Sequence, residues 1–166
     1  MDEPETEPDI RPARPDDTPR IHRLIAGVYA EYGMTLVLED AAERHLLDPG
    51  GYFRASGGEF WVAMEGEDRL LGTVALLLHP EGGELKSLYV HRSARRRGLG
   101  RFLVRRVIDA AREAGRRRFF LWSDTRFVQA HALYRSLGLV EFGVRDIEDS
   151  NASREIGFER DLFALQ

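Results

Sequence analysis

The sequence contains no cysteine, so a disulfide framework, a thiol nucleophile and a thiolate metal site are all excluded. No apolar run approaches the roughly 20 residues that a membrane-spanning helix requires, and no membrane partner is expected. Histidine is sparse, with five in 166 residues. None has His-Glu-x-x-His spacing, so no metal is expected. A Gly-x-Ser-x-Gly elbow is missing, which argues against a serine hydrolase. There is no surplus of positive charge either. The net charge is −4, so no nucleic-acid partner is expected. The first residues are acidic and carry prolines, the opposite of a secretory signal. Together with the missing cysteine, this leads to the expectation of a cytoplasmic protein.

Hydrophobic residues at 43% and charged residues at 31% are those of a globular chain. At 166 residues it is long enough for one domain with a sizeable core. Residues 1–9 hold five acidic residues and two prolines without periodicity and are expected to be a disordered tail. Residues 10–166 are expected to form a single domain. Ile10 to Ala13, bracketed by prolines, suits an edge strand. Asp16 or Asp17 caps a helix with Pro19 in its first turn and Ile21, Leu24, Ile25, Val28 and Tyr32 as its buried stripe. Asp40 to Leu47 reads as a second short helix, ended by Asp48-Pro-Gly-Gly51. Its place between the first helix and the main sheet suggests that it borders a substrate entrance.

Glu59–Met64, Arg69–Leu78 and Glu84–Val90 read as a three-stranded antiparallel meander. A helix over Gly98–Ala114 follows, then a buried strand over Arg118–Ser123 that a crossover places parallel to the third strand. A helix over Val128–Leu137 and two last strands, Val140–Val144 and Glu155–Leu162, complete an α+β domain.

The stretch from Glu84 to Val104 organises the rest. Leu85, Leu88, Tyr89 and Val90 are strand-forming. Arg95, Arg96 and Arg97 lead into Gly98-Leu99-Gly100, and an amphipathic helix follows. Backbone N–H groups at such a turn, at a helix N-terminus beside arginines, suit a phosphate. Leu103 stands where a dinucleotide fingerprint has its third glycine, and the Gly-Lys-Ser/Thr ending of a P-loop is absent. Eleven arginines fall between Arg92 and Arg118 inclusive. A basic region in an acidic protein points to an anionic ligand held at one place.

The run Leu88-Tyr-Val-His-Arg-Ser-Ala-Arg-Arg-Arg-Gly-Leu-Gly-Arg101 resembles the acyl-CoA motif of the GNAT (general N-acetyltransferase) superfamily. Ala132-Leu-Tyr-Arg-Ser-Leu-Gly-Leu139 resembles that family's tyrosine-bearing helix, in the family's order. The resemblance covers residues 10–163. It implies a three-layer α+β fold, with a mixed, mostly antiparallel sheet of six or seven strands and about four helices. It also implies that the backbone of Arg96 to Arg101 holds the pyrophosphate of acetyl-CoA, with the side chains of Arg95, Arg96, Arg97 and Arg101 nearby. Leu88, Tyr89 and Val90 would pair with the pantetheine arm, on a strand splayed away from Arg118–Ser123.

Aminolysis of a thioester needs a base and a donor for the departing thiolate. In the family's pattern Tyr134 is the acid. Glu84 lies fourteen positions before Gly98, where histone-type members place a catalytic glutamate. It is the expected base, acting directly or through water, and a carboxylate with a pKa raised by burial suits that task. His91 and His131 are alternatives if Glu84 faces away.

Two positions depart from the pattern. The loop Ser123-Asp-Thr-Arg-Phe127 lacks the asparagine with which many members contact the cofactor, and Leu139 replaces the usual phenylalanine. The expected activity is direct transfer from acetyl-CoA to a primary amine, either a small molecule or an amine on a protein. A non-catalytic acyl-CoA-binding or regulatory domain is the alternative, and a nucleic-acid-binding arginine run is a third reading. A homodimer is an open expectation.

Overall fold

The computed structural model describes residues 8–165; the expected tail lies outside them except for Pro8 and Asp9. Among the described residues there are seven strands in one sheet, four α-helices and three short 3-10 turns. No helix among them is long and apolar enough to cross a membrane.

The first strand, β1 (Asp9–Pro12), pairs antiparallel at the sheet edge with β2 (Glu59–Glu65). Helix α1 (Thr18–Glu31) follows a 3-10 turn over Pro15–Asp17. Asp17 stands before the helix as expected, but its side chain does not cap it. Its carboxylate instead accepts two hydrogen bonds from Arg11, at 2.7 and 2.9 Å, and one from the Arg14 N–H at 2.7 Å, tying β1 to the helix start.

The expected helix over Asp40–Leu47 is a 3-10 turn over Ala41–Leu46. The α-helix comes just after it, as α2 (Pro49–Ala55), in the stretch read as a terminator. Asp48 accepts from the Gly51 N–H at 3.3 Å, and proline occupies the first helical turn where it lacks no needed donor. Gly50 and Gly51 fall in the first turn, so the breaker residues start this helix instead of ending one.

The meander is as expected: β2, β3 (Arg69–His79) and β4 (Gly82–Val90) pair antiparallel. Alternation along β2 sorts its side chains between two layers. Phe60, Val62 and Met64 pack with α1, while Trp61 and Ala63 pack toward α3 (Leu99–Glu113). Each fully buried side chain of this size is worth about 1.5–3 kcal/mol. From α3 the chain returns as β5 (Arg118–Asp124), parallel to β4. Then come α4 (Val128–Ser136), β6 (Val140–Asp146) and β7 (Arg154–Asp161), which inserts between β5 and β6 to give the order β1-β2-β3-β4-β5-β7-β6. The sheet is mixed, mostly antiparallel and covered on both faces, as the resemblance implied.

Candidate active site

Only Gly83, Glu84 and Leu85 of β4 pair with β5, opposite Phe119, Phe120 and Leu121. Beyond Leu85 the two parallel strands separate. On its other side β4 stays joined to β3, but with a register shift between Thr73 and Ala75. Ser87 takes the left-handed conformation there, at φ 56°, a costly state for a residue with a Cβ. The buried Thr73 hydroxyl donates to the Ser87 carbonyl at 2.8 Å and holds the bulge. A bulge turns the strand end away from its neighbour, and a cleft of about 970 Å³ opens between β4 and β5.

Leu88, Tyr89 and Val90 line that cleft, as do Trp122, Ser123 and Asp124 across from them. At its far end lies the turn before α3. Arg96 and Gly98 both have positive φ, 63° and 78°, which folds successive N–H groups toward one side. The first helical bond is donated by the Phe102 N–H to the Gly98 carbonyl at 3.1 Å, and the N–H groups of residues 96–101 find no acceptor among the described residues. That is the expected state of a helix N-terminus without a side-chain cap, and it leaves several donors and the positive dipole end pointing the same way. Gly100 lies where α3, α4 and the end of β4 meet: a Cβ there would come within 3.3 Å of Leu133.

The arginines divide by role. Arg96 and Arg101 line the cleft, and Arg101 also donates to the Ser136 hydroxyl at 2.9 Å. Arg97 is exposed and outside the lining. Arg95 borders the cleft, but its guanidinium is engaged, donating to both oxygens of Glu31 at 2.7 and 2.6 Å and to the Val90 carbonyl at 3.1 Å. Its side chain is a strut between the turn, the end of α1 and the end of β4.

Tyr134, on α4, lines the cleft and is 4% exposed. Its hydroxyl has no hydrogen-bond partner among the described residues and is not sealed from solvent. Burial holds its pKa above the ordinary phenol value, so the proton stays on the oxygen. Glu84 is brought to a different place. It is 7% exposed and does not line the cleft. One oxygen is 2.9 Å from His79 Nε2, and the other is 3.9 Å from Lys86.

Of the alternative bases, His91 accepts from the Ser93 N–H at 3.1 Å and caps a 3-10 turn, outside the cleft lining. His131 is buried against Phe158, 3.0 Å from the Ser123 hydroxyl, and burial lowers its pKa. Asp124 sits in the loop that lacks the asparagine and lines the cleft. Its Oδ1 accepts from the Arg126 N–H at 2.9 Å, while Oδ2 is buried without a partner among the described residues.

Residues that local reading passed over complete the opposite wall. From α1 come Val28 and Tyr29, and from the segment after it Tyr32, Met34, Glu43 and His45. The segment expected to border a substrate entrance thus lines the cleft. Its individual side chains carried no motif.

A family model described as acetyltransferase (GNAT) family matches residues 20–139, more than two thirds of the sequence. The chain belongs to the GNAT acetyltransferase family. Among its relatives is the uncharacterized N-acetyltransferase YjgM of Escherichia coli (strain K12), 33% identical over 126 residues, which are 74% of this chain and 75% of YjgM. N-acetyltransferase 8 of Homo sapiens is 35% identical over 98 residues, 55% of this chain. The match spans only 43% of the human protein. An acetyltransferase of the GNAT family from Staphylococcus aureus Mu50 superposes with a TM-score of 0.79 at 21% identity, over 93% of this chain and 98% of that one. The yncA acetyltransferase from Salmonella typhimurium, solved with its cofactor acetyl-CoA, superposes with a TM-score of 0.71 at 18% identity, over 97% of each chain. The GNAT fold implied by the two sequence motifs is thereby borne out.

Proposed function

We propose that this GNAT protein transfers an acetyl group from acetyl-CoA directly to a primary amine. The observation that carries the reading is one cleft joining three features: the separated end of β4, a turn whose N–H groups are unpaired among the described residues, and the tyrosine hydroxyl of α4. The N–H groups of Arg96 to Arg101, with Gly98, Leu99 and Gly100 allowing close approach, hold the pyrophosphate, and Arg96 and Arg101 add charge. Leu88, Tyr89 and Val90 offer the backbone groups left unpaired by β5 to the pantetheine amides, as a sheet edge takes an added strand. Tyr134, protonated at neutral pH, gives its proton to the departing sulfur. With no cysteine in the chain, transfer through a cysteine-linked acyl-enzyme is excluded, and the amine attacks the thioester itself. The relative solved with acetyl-CoA supports this choice of donor.

Thermal stabilisation by acetyl-CoA tests the reading, because a ligand bound only to the folded state raises its stability. The wild type is expected to gain several degrees at saturating acetyl-CoA. A Gly98→Glu variant is expected to gain none, since a carboxylate at the turn repels the pyrophosphate and φ 78° strains any residue with a Cβ. An equal gain in both proteins rules this placement out.

A further inference from the structure

Facing the strand end across the cleft is a carboxylate that neither sequence motif contains. Glu43 lies in the 3-10 turn Ala41–Leu46, is 8% exposed and lines the cleft. The Tyr29 hydroxyl of α1 donates to its Oε1 at 2.8 Å. The same hydroxyl is 3.2 Å from that of Tyr89 on β4, and the two rings meet edge to face at 5.8 Å. A phenol has one proton to donate. With the Tyr29 proton committed to Glu43, Tyr89 is the donor in the second contact, and a directed chain runs from the strand end through Tyr29 to Glu43. Oε2 has no partner among the described residues and is not sealed from solvent. Glu84, by contrast, has its carboxylate beside His79 and outside the lining.

We propose that Glu43 is the general base of the transfer and that Tyr29 positions it; the proposal rests on the acetyltransferase reading above. The acceptor sheds its ammonium proton to solvent and attacks the thioester carbonyl carbon with the nitrogen lone pair. As the C–N bond forms, the N–H proton passes to Oε2 of Glu43. As the C–S bond breaks, its electron pair goes to sulfur, which takes the Tyr134 proton. Exchange with solvent then removes the proton from Glu43 and returns one to Tyr134.

The surroundings suit a base. Facing Glu43 are Tyr29 from α1, Tyr89 and Lys86 from β4, Asp149 from the segment between β6 and β7, and Asp40 from its own segment. Burial is the largest influence and raises the carboxyl pKa; the Tyr29 hydrogen bond and the Lys86 charge act against it, and Asp149 and Asp40 add to it, leaving it above the ordinary value. His45, in the same wall, is held down to about pKa 3 by burial and remains neutral.

The test is kcat and kcat/KM for release of CoA across a panel of primary amines, measured against pH. In the wild type kcat, taken at saturating amine so that the free amine's own ammonium does not enter, falls at low pH as Glu43 takes up a proton. Glu43→Gln keeps the Tyr29 hydrogen bond and is expected to lose about 10²-fold in kcat/KM together with that acid limb, while thermal stabilisation by acetyl-CoA stays at the wild-type level. Tyr29→Phe leaves the base but removes a donor that lowers its pKa. It is expected to lose less rate and to move the limb to higher pH, which a purely structural role does not do. Glu43→Gln with wild-type rate and limb overturns the assignment, as does Glu84→Gln abolishing the limb in its place. A wild type that releases no CoA with any amine overturns the transferase reading and this proposal together, whereas wild-type turnover that Glu43→Gln leaves intact overturns this proposal alone.

Discussion

At the scale of residues, chemistry divides between side chains marked by a motif and side chains marked only by where they sit. Tyr134 is of the first kind. The repeat of Ala130, Leu133, Tyr134 and Leu137 puts it on the apolar stripe of a helix. That stripe leaves open whether the tyrosine is core or catalytic, and only the surrounding Ala132–Leu139 motif tipped the reading. The fold buries the ring against Phe158, with centroids 5.6 Å apart, and leaves the hydroxyl in the cleft without a partner among the described residues. Removing that hydroxyl therefore leaves no buried donor stranded. Tyr134→Phe is expected to lower kcat about 10²-fold with little change in unfolding temperature or in stabilisation by acetyl-CoA, and steady-state kinetics beside a melting curve checks both. An unchanged kcat removes Tyr134 as the acid. Glu43 is of the second kind. Nothing within several positions of it in sequence signals chemistry, because its partner Tyr29 lies 14 positions away and Tyr89, next in the chain of hydroxyls, 46. Glu84 shows the reverse: spacing marked it, but β4 carries its side chain to His79.

At the scale of elements, strands and long helices followed local periodicity, and the misreading fell where turn chemistry has two meanings. Asp48-Pro-Gly-Gly51 suits either a stop or a start, and α2 uses it as a start because Asp48 can cap and proline tolerates the first turn. No local signal announced the join between two distant loops. Asp40 accepts from the Ser150 N–H and hydroxyl at 2.9 and 2.8 Å, and Asn151 exchanges hydrogen bonds with the backbone of Thr35 at 2.9 and 2.8 Å. These bonds link the segment after α1 to the segment between β6 and β7, both of which contribute to the cleft wall. Exposed bonds of this kind contribute about 0.5–1.5 kcal/mol each. The double variant Asp40→Ala, Asn151→Ala is expected to lose roughly 2–3 kcal/mol of local stability, seen as faster amide exchange over residues 147–153 while the strands of the sheet keep their protection. Unchanged exchange in that segment shows that the join does not hold it.

At the scale of the whole molecule, a chain of net charge −4 concentrates eleven arginines in one stretch of sequence, and the fold sends several of them elsewhere. Arg95 goes to Glu31, Arg117 to Asp161 and Arg118 to Glu159. What faces the proposed pyrophosphate is then chiefly backbone, with Arg96 and Arg101 beside it. Charge on exposed arginines is screened within about 8 Å at physiological ionic strength, but hydrogen bonds from backbone N–H groups are far less sensitive. Raising salt from about 0.05 to 0.5 M, a range that takes the screening length well below 10 Å, is expected to raise the KM for acetyl-CoA several-fold without abolishing binding. A collapse of binding instead means that side-chain charge dominates. The glycine turn before α3, the tyrosine helix and the strand spans were legible along the chain because each rests on residues within a few positions of one another. The separation of β4 from β5, the placement of Glu84 away from the cleft and the pairing of Glu43 with Tyr29 were not. They depend on a bulge held from the neighbouring strand by Thr73 and on loops joined across more than a hundred positions, and only packing of the complete sheet brings those groups within bonding distance.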